Sequence, residues 1–264
     1  KGDLPYLIPR PGAIESIVSH NPEGATDAHI KTMKNNAGIQ LTSVKSAKRW
    51  AKEYMCSFYN CEIFAGWDKN GQDRMYPYIK RQQDHLDCLG KKRIWAHCFD
   101  VFEQIERRPW TLALKGKRVL IVSQLEESIR EQLTKTHAYG TDLFPECTFG
   151  FLKPPQTAGD EMSLDWHEEL EIFYRKLEKI TDEYDVALVS AGGYGNIICN
   201  KIFSFKKQAI YVGGVMQMFW GILGNRWLVE RGLTTGLYLN EHWTRPKLCE
   251  RPAGCEKIEN KCYW

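Results

Sequence analysis

The run DVALVSAGGYGN, Asp185 to Asn196, carries an apolar stretch directly into three glycines and then into a helical pattern. Glycine lets the backbone approach a ligand closely, and a helix starting just beyond offers unpaired N–H groups and a positive dipole end to a phosphate. Gly192, Gly193, Tyr194 and Gly195 are therefore candidates for holding a diphosphate. The same spacing serves equally well as a tight strand-to-helix turn that holds nothing. The run is not GxGxxG, and no GxxxxGKS or GxxxxGKT occurs anywhere, so neither a dinucleotide fingerprint nor an ATPase-type phosphate loop is indicated. A second apolar-to-glycine junction, IYVGGVMQ, adds Gly214 and Gln217, because parallel sheets bind ligands at the carboxyl ends of their strands.

A third such junction, LIPRPGAIES, sets Arg10 and Glu15 around Pro11 and Gly12. A helix beginning near Ala13 places Glu15 in its first turn, where it serves either as a catalytic base or simply as the complement of the helix dipole, worth about 0.3–1 kcal/mol. The loop PPQTAG supplies Gln156 and Thr157 for a base or ribose, or is a plain connector. Ser123 and Ser128 in SQLEESIREQ either bind phosphate or cap a helix.

Displacing a diphosphate requires its charge to be neutralised, by a metal on paired carboxylates or by Arg and Lys donors. The sequence contains neither DxD nor DxE, so no metal ligand is assigned, and manganese or magnesium stays open as a cofactor. Arg226 in GNRW and Arg245 in HWTRP are the leading donors, or else surface ion-pair residues. A lost donor of this kind costs roughly 3–4 kcal/mol of barrier. Glu15 is the first choice for taking the acceptor proton. Asp73 and Asp68 are alternatives that could hold the acceptor, and Trp227 and Trp243 could stack on a sugar. HExxH, GxSxG and kinase signatures are absent.

Five apolar runs predict the strands that position these residues: Tyr6 to Pro9, Val119 to Ser123, Thr148 to Leu152, Val186 to Ser190 and Ala209 to Val212. Helical periods lie between them, clearest over Leu164 to Tyr184. This alternation predicts an α/β fold, a Rossmann-like, mainly parallel sheet with helices on both faces. Residues 43–109 read as a mostly helical insert within a single domain spanning 1–264.

The 264 residues carry 36 basic and 33 acidic side chains, a net charge of +3 that gives no general case for nucleic acid. The most apolar stretch, Gly213 to Gly224, is too short for a bilayer and is interrupted by glycines and Gln217, so it is core or a site wall. Nine cysteines without a CxxC pair suggest reduced thiols in a cytoplasmic protein, with Cys249, Cys255 and Cys262 as the ones that could pair in an oxidising compartment. No signal-peptide pattern is visible, and the opening at Lys1 rather than methionine suggests a trimmed start.

Taken together, AGGYGN, KKQAIYVGGVMQMFWGILGNRW, HWTRP and CYW, with RPGAIE, NNAGI, GKRVLIVSQLEESIREQ and PQTAG upstream, resemble the GT-D type glycosyltransferases of bacterial and viral glycan loci. The order of these motifs is shared and covers nearly the whole chain. The resemblance implies transfer of a sugar from a nucleoside diphosphate to a glycan or glycoprotein acceptor. A UDP-sugar is the expected donor, with UDP-xylose as a working choice. It departs from the family's R-x-G-D-G-E element at Ala13, where an aspartate would stand, while Glu15 is kept. The alternatives are a dehydrogenase or methyltransferase on a similar sheet, and a non-catalytic nucleotide- or glycan-binding module.

Overall fold

The computed structural model describes residues 5–68, 76–106, 110–133, 138–139, 142–230, 232–258 and 261–264. Among these residues seven strands are formed: β1 (Leu7–Ile8), β2 (Ile63–Gly66), β3 (Lys92–Trp95), β4 (Arg118–Ser123), β5 (Thr148–Leu152), β6 (Val186–Ser190) and β7 (Gln208–Tyr211). The helices are α1 (Ala13–His20), α2 (Asp27–Asn36), α3 (Val44–Asn60), α4 (Tyr76–Cys88), α5 (Val101–Glu106), α6 (Glu126–Leu133), α7 (Trp166–Lys179), α8 (Gly195–Ser204), α9 (Asn225–Glu230) and α10 (Gly232–Tyr238).

Successive side chains of a strand point to opposite faces, and parallel sheets bury both. Leu120, Val122, Ala187, Val189 and Ala209 accordingly enter one core with Ile14, Met33, Trp50, Leu170 and Ile198 from α1, α2, α3, α7 and α8. Their neighbours Val119, Ile121, Val186, Leu188 and Ile210 enter a second core with Phe102 of α5, Ile129 of α6 and Trp227 of α9. On α7, Trp166, Leu170, Phe173 and Leu177 recur at helical spacing and are all buried. Burial of each such side chain contributes about 1.5–3 kcal/mol. The stretch from Gly213 to Gly224 forms a 3-10 helix, Gly214–Trp220, whose Met216 and Met218 pack in this second core.

The main sheet has the order β1-β7-β6-β4-β5, and every neighbouring pair is parallel. The architecture is thus the doubly wound α/β layout expected from the alternation of elements. The expected strands over Thr148 to Leu152 and Val186 to Ser190 match β5 and β6, and the other three agree to within a residue or two. The helix expected over Leu164 to Tyr184 runs from Trp166 to Lys179 and is followed by a separate 3-10 turn, Thr181–Glu183. Asp165, just before it, accepts hydrogen bonds from Thr42 N, Thr42 Oγ1 and Ser46 Oγ and so ties α7 to the start of α3.

The described residues of 43–109 are mostly helical, as the periodicity indicates, but they also hold β2 and β3, which pair in parallel from Ile63↔Lys92 to Gly66↔Trp95. β3 carries Lys92 and Arg93 and is mostly exposed, so it lacks the apolar run that marks a buried strand, while β2, IFAG, is buried but only four residues long. Ala65 N donates to Pro9 O at 2.9 Å, which docks the small sheet beside the end of β1.

The chain reverses its direction of travel across the sheet between β4 and β6. From β4 it passes through α6 to β5 at one edge; from β6 it passes through α8 to β7 on the other side. Ile129 of α6 and Ile198 of α8 lie in opposite cores, so these two crossovers cover opposite faces. The loops after β4 and β6 must then diverge, leaving a crevice at the carboxyl ends where Ser123 and Ser190 stand in register.

Candidate functional site

Two adjoining pockets occupy this crevice. The first lies at the switch point itself, between Ser123, Gln124 and Leu125 after β4 and Ser190, Ala191 and Gly192 after β6. The second, about 550 Å³, extends toward β1 and α1 and is lined by Arg10, Glu15, His97, Asp100 and Arg226. Its size is within the range of small-molecule sites. Asn36, Gly192, Tyr211, Gly214 and Tyr263 line both pockets, which makes them one continuous cleft.

Arg10 sits just past β1. Its backbone is held by Asn196 of α8, whose Oδ1 accepts from Arg10 N at 3.1 Å and whose Nδ2 donates to Arg10 O at 2.8 Å. The guanidinium carbon lies 5.1 Å from the Trp67 ring centroid and 5.4 Å from that of Tyr211. Gly213, at φ 73°, leaves the space the guanidinium fills, since a Cβ there would stand 1.9 Å from Nη2. Desolvation pulls the Arg10 pKa below its ordinary value, against the opposing pull of Tyr211, Tyr263, Glu15 and Asp100. Among the described residues no hydrogen-bond acceptor reaches this guanidinium. A desolvated cation packed against two aromatic faces and drawn by Glu15 and Asp100, with no side-chain hydrogen bond of its own, keeps its N–H groups for an anion.

Glu15 stands in the first turn of α1 with its carboxylate folded back over Gly12. Gly12 N donates to Tyr54 Oη at 3.2 Å, which fixes the turn from beneath. Desolvation, reinforced by Glu15, pushes the Tyr54 hydroxyl far up, and desolvation does the same at Tyr211. Both phenols therefore stay protonated, and Tyr211 donates to Gly192 O at 3.1 Å. Arg226 reaches the cleft from α9, with its Nη1 donating to Tyr263 Oη at 3.2 Å and its guanidinium 5.1 Å from that ring's centroid.

The glycines of AGGYGN serve the protein more than a ligand. Gly192, at φ 50°, and Gly193 press against Ala37, with Gly193 N donating to Ala37 O at 2.6 Å, and Gly195 leaves room for the Tyr211 ring. Of the four residues assigned to the diphosphate, only Gly192 lines the cleft. Tyr194 is buried, and its hydroxyl lies 3.0 Å from Thr157 Oγ1, which donates to Gly38 O at 2.7 Å. Tyr194 and Thr157 thus hold two loops together and line neither pocket. Close approach is what glycine permits in either case, and only the partner differs.

Gln156, Gly214 and Gln217 do line the cleft, although Gln217 Nε2 is engaged by Ile222 O at 2.9 Å and Tyr263 O at 3.3 Å. Arg245 is placed elsewhere: it is exposed, donates to Asn225 Oδ1 at 2.8 Å and lines neither pocket. Trp227 lines the second pocket, whereas Trp243 donates its Nε1 to Ala138 O and Tyr238 O outside both. Asp68 is exposed. Asp73 lies outside the described residues. Ser128 lines neither pocket, and its hydroxyl donates to the buried carboxylate of Glu250.

Asp100, Asn36, His97 and Tyr263 were not anticipated. Asp100 is only 9% exposed, caps α5 by accepting from Phe102 N at 3.2 Å, and turns toward the cleft beside Arg10. An aspartate just before a helical run was a visible capping signal, but its nearness to β1 was not. Among the described residues no group of three or more His, Cys, Asp or Glu side chains comes together as a metal site, and no helix is long and apolar enough to cross a membrane. None of the nine cysteines is joined in a disulfide.

No family model, curated protein or solved structure matches the chain.

Proposed function

We propose that this protein is a glycosyltransferase that moves a sugar from a nucleoside diphosphate to a hydroxyl of a glycan or glycoprotein. A UDP-sugar is the first donor to test, with UDP-xylose among the candidates. The observation that carries the reading is the pairing of an acceptor-free, desolvated Arg10 with Glu15 in one cleft at the switch point of the sheet. The ordered motifs shared with GT-D type glycosyltransferases point the same way. Nine cysteines without a disulfide accord with a reducing, cytoplasmic setting.

In this reading the acceptor oxygen attacks the anomeric carbon while the bond from that carbon to the diphosphate oxygen breaks. The electron pair leaves with the diphosphate, whose charge meets Arg10 and Arg226, and the acceptor proton passes to the Glu15 carboxylate. One base and no covalent intermediate give inversion at the anomeric carbon, through an oxocarbenium-like transition state. Asp100 stands across the cleft, where a second carboxylate suits the acceptor hydroxyls.

The test is a panel of nucleotide sugars assayed for slow hydrolysis and transfer, with and without manganese, on the parent and on Glu15→Gln. The expected result is donor turnover in the parent, and near-normal donor binding with turnover abolished in the variant. Undiminished turnover in Glu15→Gln rejects it as the base. Binding without turnover in the parent favours the non-catalytic module.

A further inference from the structure

Arg10 stands between Pro9 and Pro11, which lack an N–H and offer the backbone only their carbonyls. Every main-chain polar group of these three residues is engaged. Asn196 of α8 holds both groups of Arg10, Ala65 N of β2 donates to Pro9 O at 2.9 Å, and Trp67 Nε1 donates to Pro11 O at 2.8 Å. The guanidinium then rests against the ring of that same Trp67. Where Trp67 stands therefore sets both the course of the chain at Arg10 and one of the two faces on which its side chain lies.

Trp67 lies one residue past β2, where the pairing with β3 has ended at Gly66↔Trp95. A side chain of α4 takes over there: Gln83 Oε1 accepts from Trp67 N at 2.6 Å and Gln83 Nε2 donates to Trp67 O at 3.0 Å. A primary amide both accepts and donates, so it replaces the missing strand neighbour. Gln83 is fully buried, and Gly66 leaves it room, since a Cβ there would stand 2.8 Å from Oε1. It lines neither half of the cleft, whereas Trp67 and Arg10 line the second.

We infer that Gln83 is a positioning residue of the anion site: acting through Trp67, it fixes the Arg10 guanidinium before any ligand arrives. This rests on the reading above in which Arg10 meets the diphosphate of the donor. A long, flexible cation loses rotamer freedom when it grips an anion, and freedom already removed in the empty cleft is not lost again on binding. The path of influence runs from α4, outside the main sheet, through two hydrogen bonds to one indole and from that indole to one cation.

The test is a double-mutant cycle on the affinity for inorganic pyrophosphate, using the parent, Gln83→Leu, Arg10→Met and the doubly substituted protein. Melting temperatures are recorded alongside, and UDP, CDP, ADP and GDP are titrated into the parent. Gln83→Leu removes both hydrogen bonds to Trp67 and leaves the cleft lining untouched. The expected result is that Gln83→Leu weakens pyrophosphate binding about threefold to tenfold, yet costs less than about twofold once Arg10 is replaced. A purely structural Gln83 would lower the melting temperature and leave the affinity of the folded protein unchanged, and that result overturns the inference. Equal losses of affinity in the two backgrounds overturn it as well, because Gln83 would then act by a route other than Arg10. Where Gln83→Leu fails to fold, Trp67→Phe takes its place in the cycle with the same readings, since it keeps a ring and removes the N–H that holds Pro11. A parent that binds pyrophosphate but no nucleoside diphosphate, with the cycle as expected, upholds the positioning role and rejects the transferase reading. A parent that binds neither class overturns both.

Discussion

Gly12 and Glu15 share one space: a Cβ built on Gly12 would stand 2.2 Å from Oε2 of Glu15. The absence of a side chain at position 12 is what lets the carboxylate fold back over the first turn of α1. At φ -98° the backbone of Gly12 suits any residue, so its glycine is explained by the carboxylate and not by strain.

Gly12→Ala is therefore expected to leave folding nearly intact while displacing the Glu15 carboxylate. Misplacing a catalytic group by an ångström lowers turnover by about 10- to 100-fold. Turnover and melting temperature of the one variant check this. Parent-like turnover would mean that the position of the carboxylate does not matter.

Arg10 supplies the second contrast. Because its guanidinium is desolvated and donates no side-chain hydrogen bond among the described residues, removing it relieves a desolvation cost that offsets the lost pull of Glu15 and Asp100. Arg10→Met should melt at or above the parent temperature yet bind a nucleoside diphosphate about 10- to 100-fold more weakly, the worth of a charged hydrogen bond. Thermal melts and calorimetric titration measure the two effects. A clear drop in melting temperature with unchanged affinity would make Arg10 a purely structural residue.

Glu250 is a stability residue. It is 3% exposed and accepts from Glu127 N at 2.8 Å, Ser128 N at 3.1 Å and Lys247 N at 3.2 Å, as well as from the Ser128 hydroxyl. It thus caps the start of α6 from a distant segment. Glu250→Gln exchanges a carboxylate oxygen for an NH₂ donor facing these donors and should cost about 1–3 kcal/mol in urea unfolding.

The fourth expectation concerns pH. Arg118 Nη2 donates to Asp185 Oδ1 at 2.7 Å and Arg118 N to Asp185 Oδ2 at 2.9 Å, linking β4 to the start of β6. Hydrogen bonding from Arg118 holds the Asp185 carboxyl down at about 2. A carboxyl depressed on folding stabilises the folded state above its unfolded pKa of about 3.9, and that stability is lost as pH falls through the folded value. The pair is partly exposed, so its worth is under about 1 kcal/mol. Asp185→Asn should lower stability by that amount at pH 7, and the difference from the parent should vanish between about pH 4 and pH 2. A constant difference over that range would place the effect in packing.

The central strands β4, β6 and β7 were legible because both faces of a parallel sheet are buried there, whereas β5, half-exposed at the edge, showed only as a short apolar run. Val119 to Val122 and Val186 to Val189 had to read as unbroken apolar runs. β3 was not legible, since Lys92 and Arg93 on a mostly exposed strand carry no such signature, and β2, although buried and apolar, is a run of only four residues. The strand ends likewise located the cleft, and Arg10, Glu15, Gln156, Gly214, Gln217 and Arg226 all line it.

What the sequence determined alone was the alternation of strand and helix, the glycine-rich strand ends and the chemistry on offer there. These are local properties, set by side-chain period and by backbone freedom. Only the tertiary structure decided which surfaces those groups face. It turned Gly193 and Gly195 onto Ala37, Ile39 and Tyr211, and it brought Asp100 beside Arg10. It also left Arg245 outside the cleft. Such choices depend on packing between residues tens to hundreds of positions apart, and no periodicity along the chain encodes which distant side chain fills the space beside a glycine.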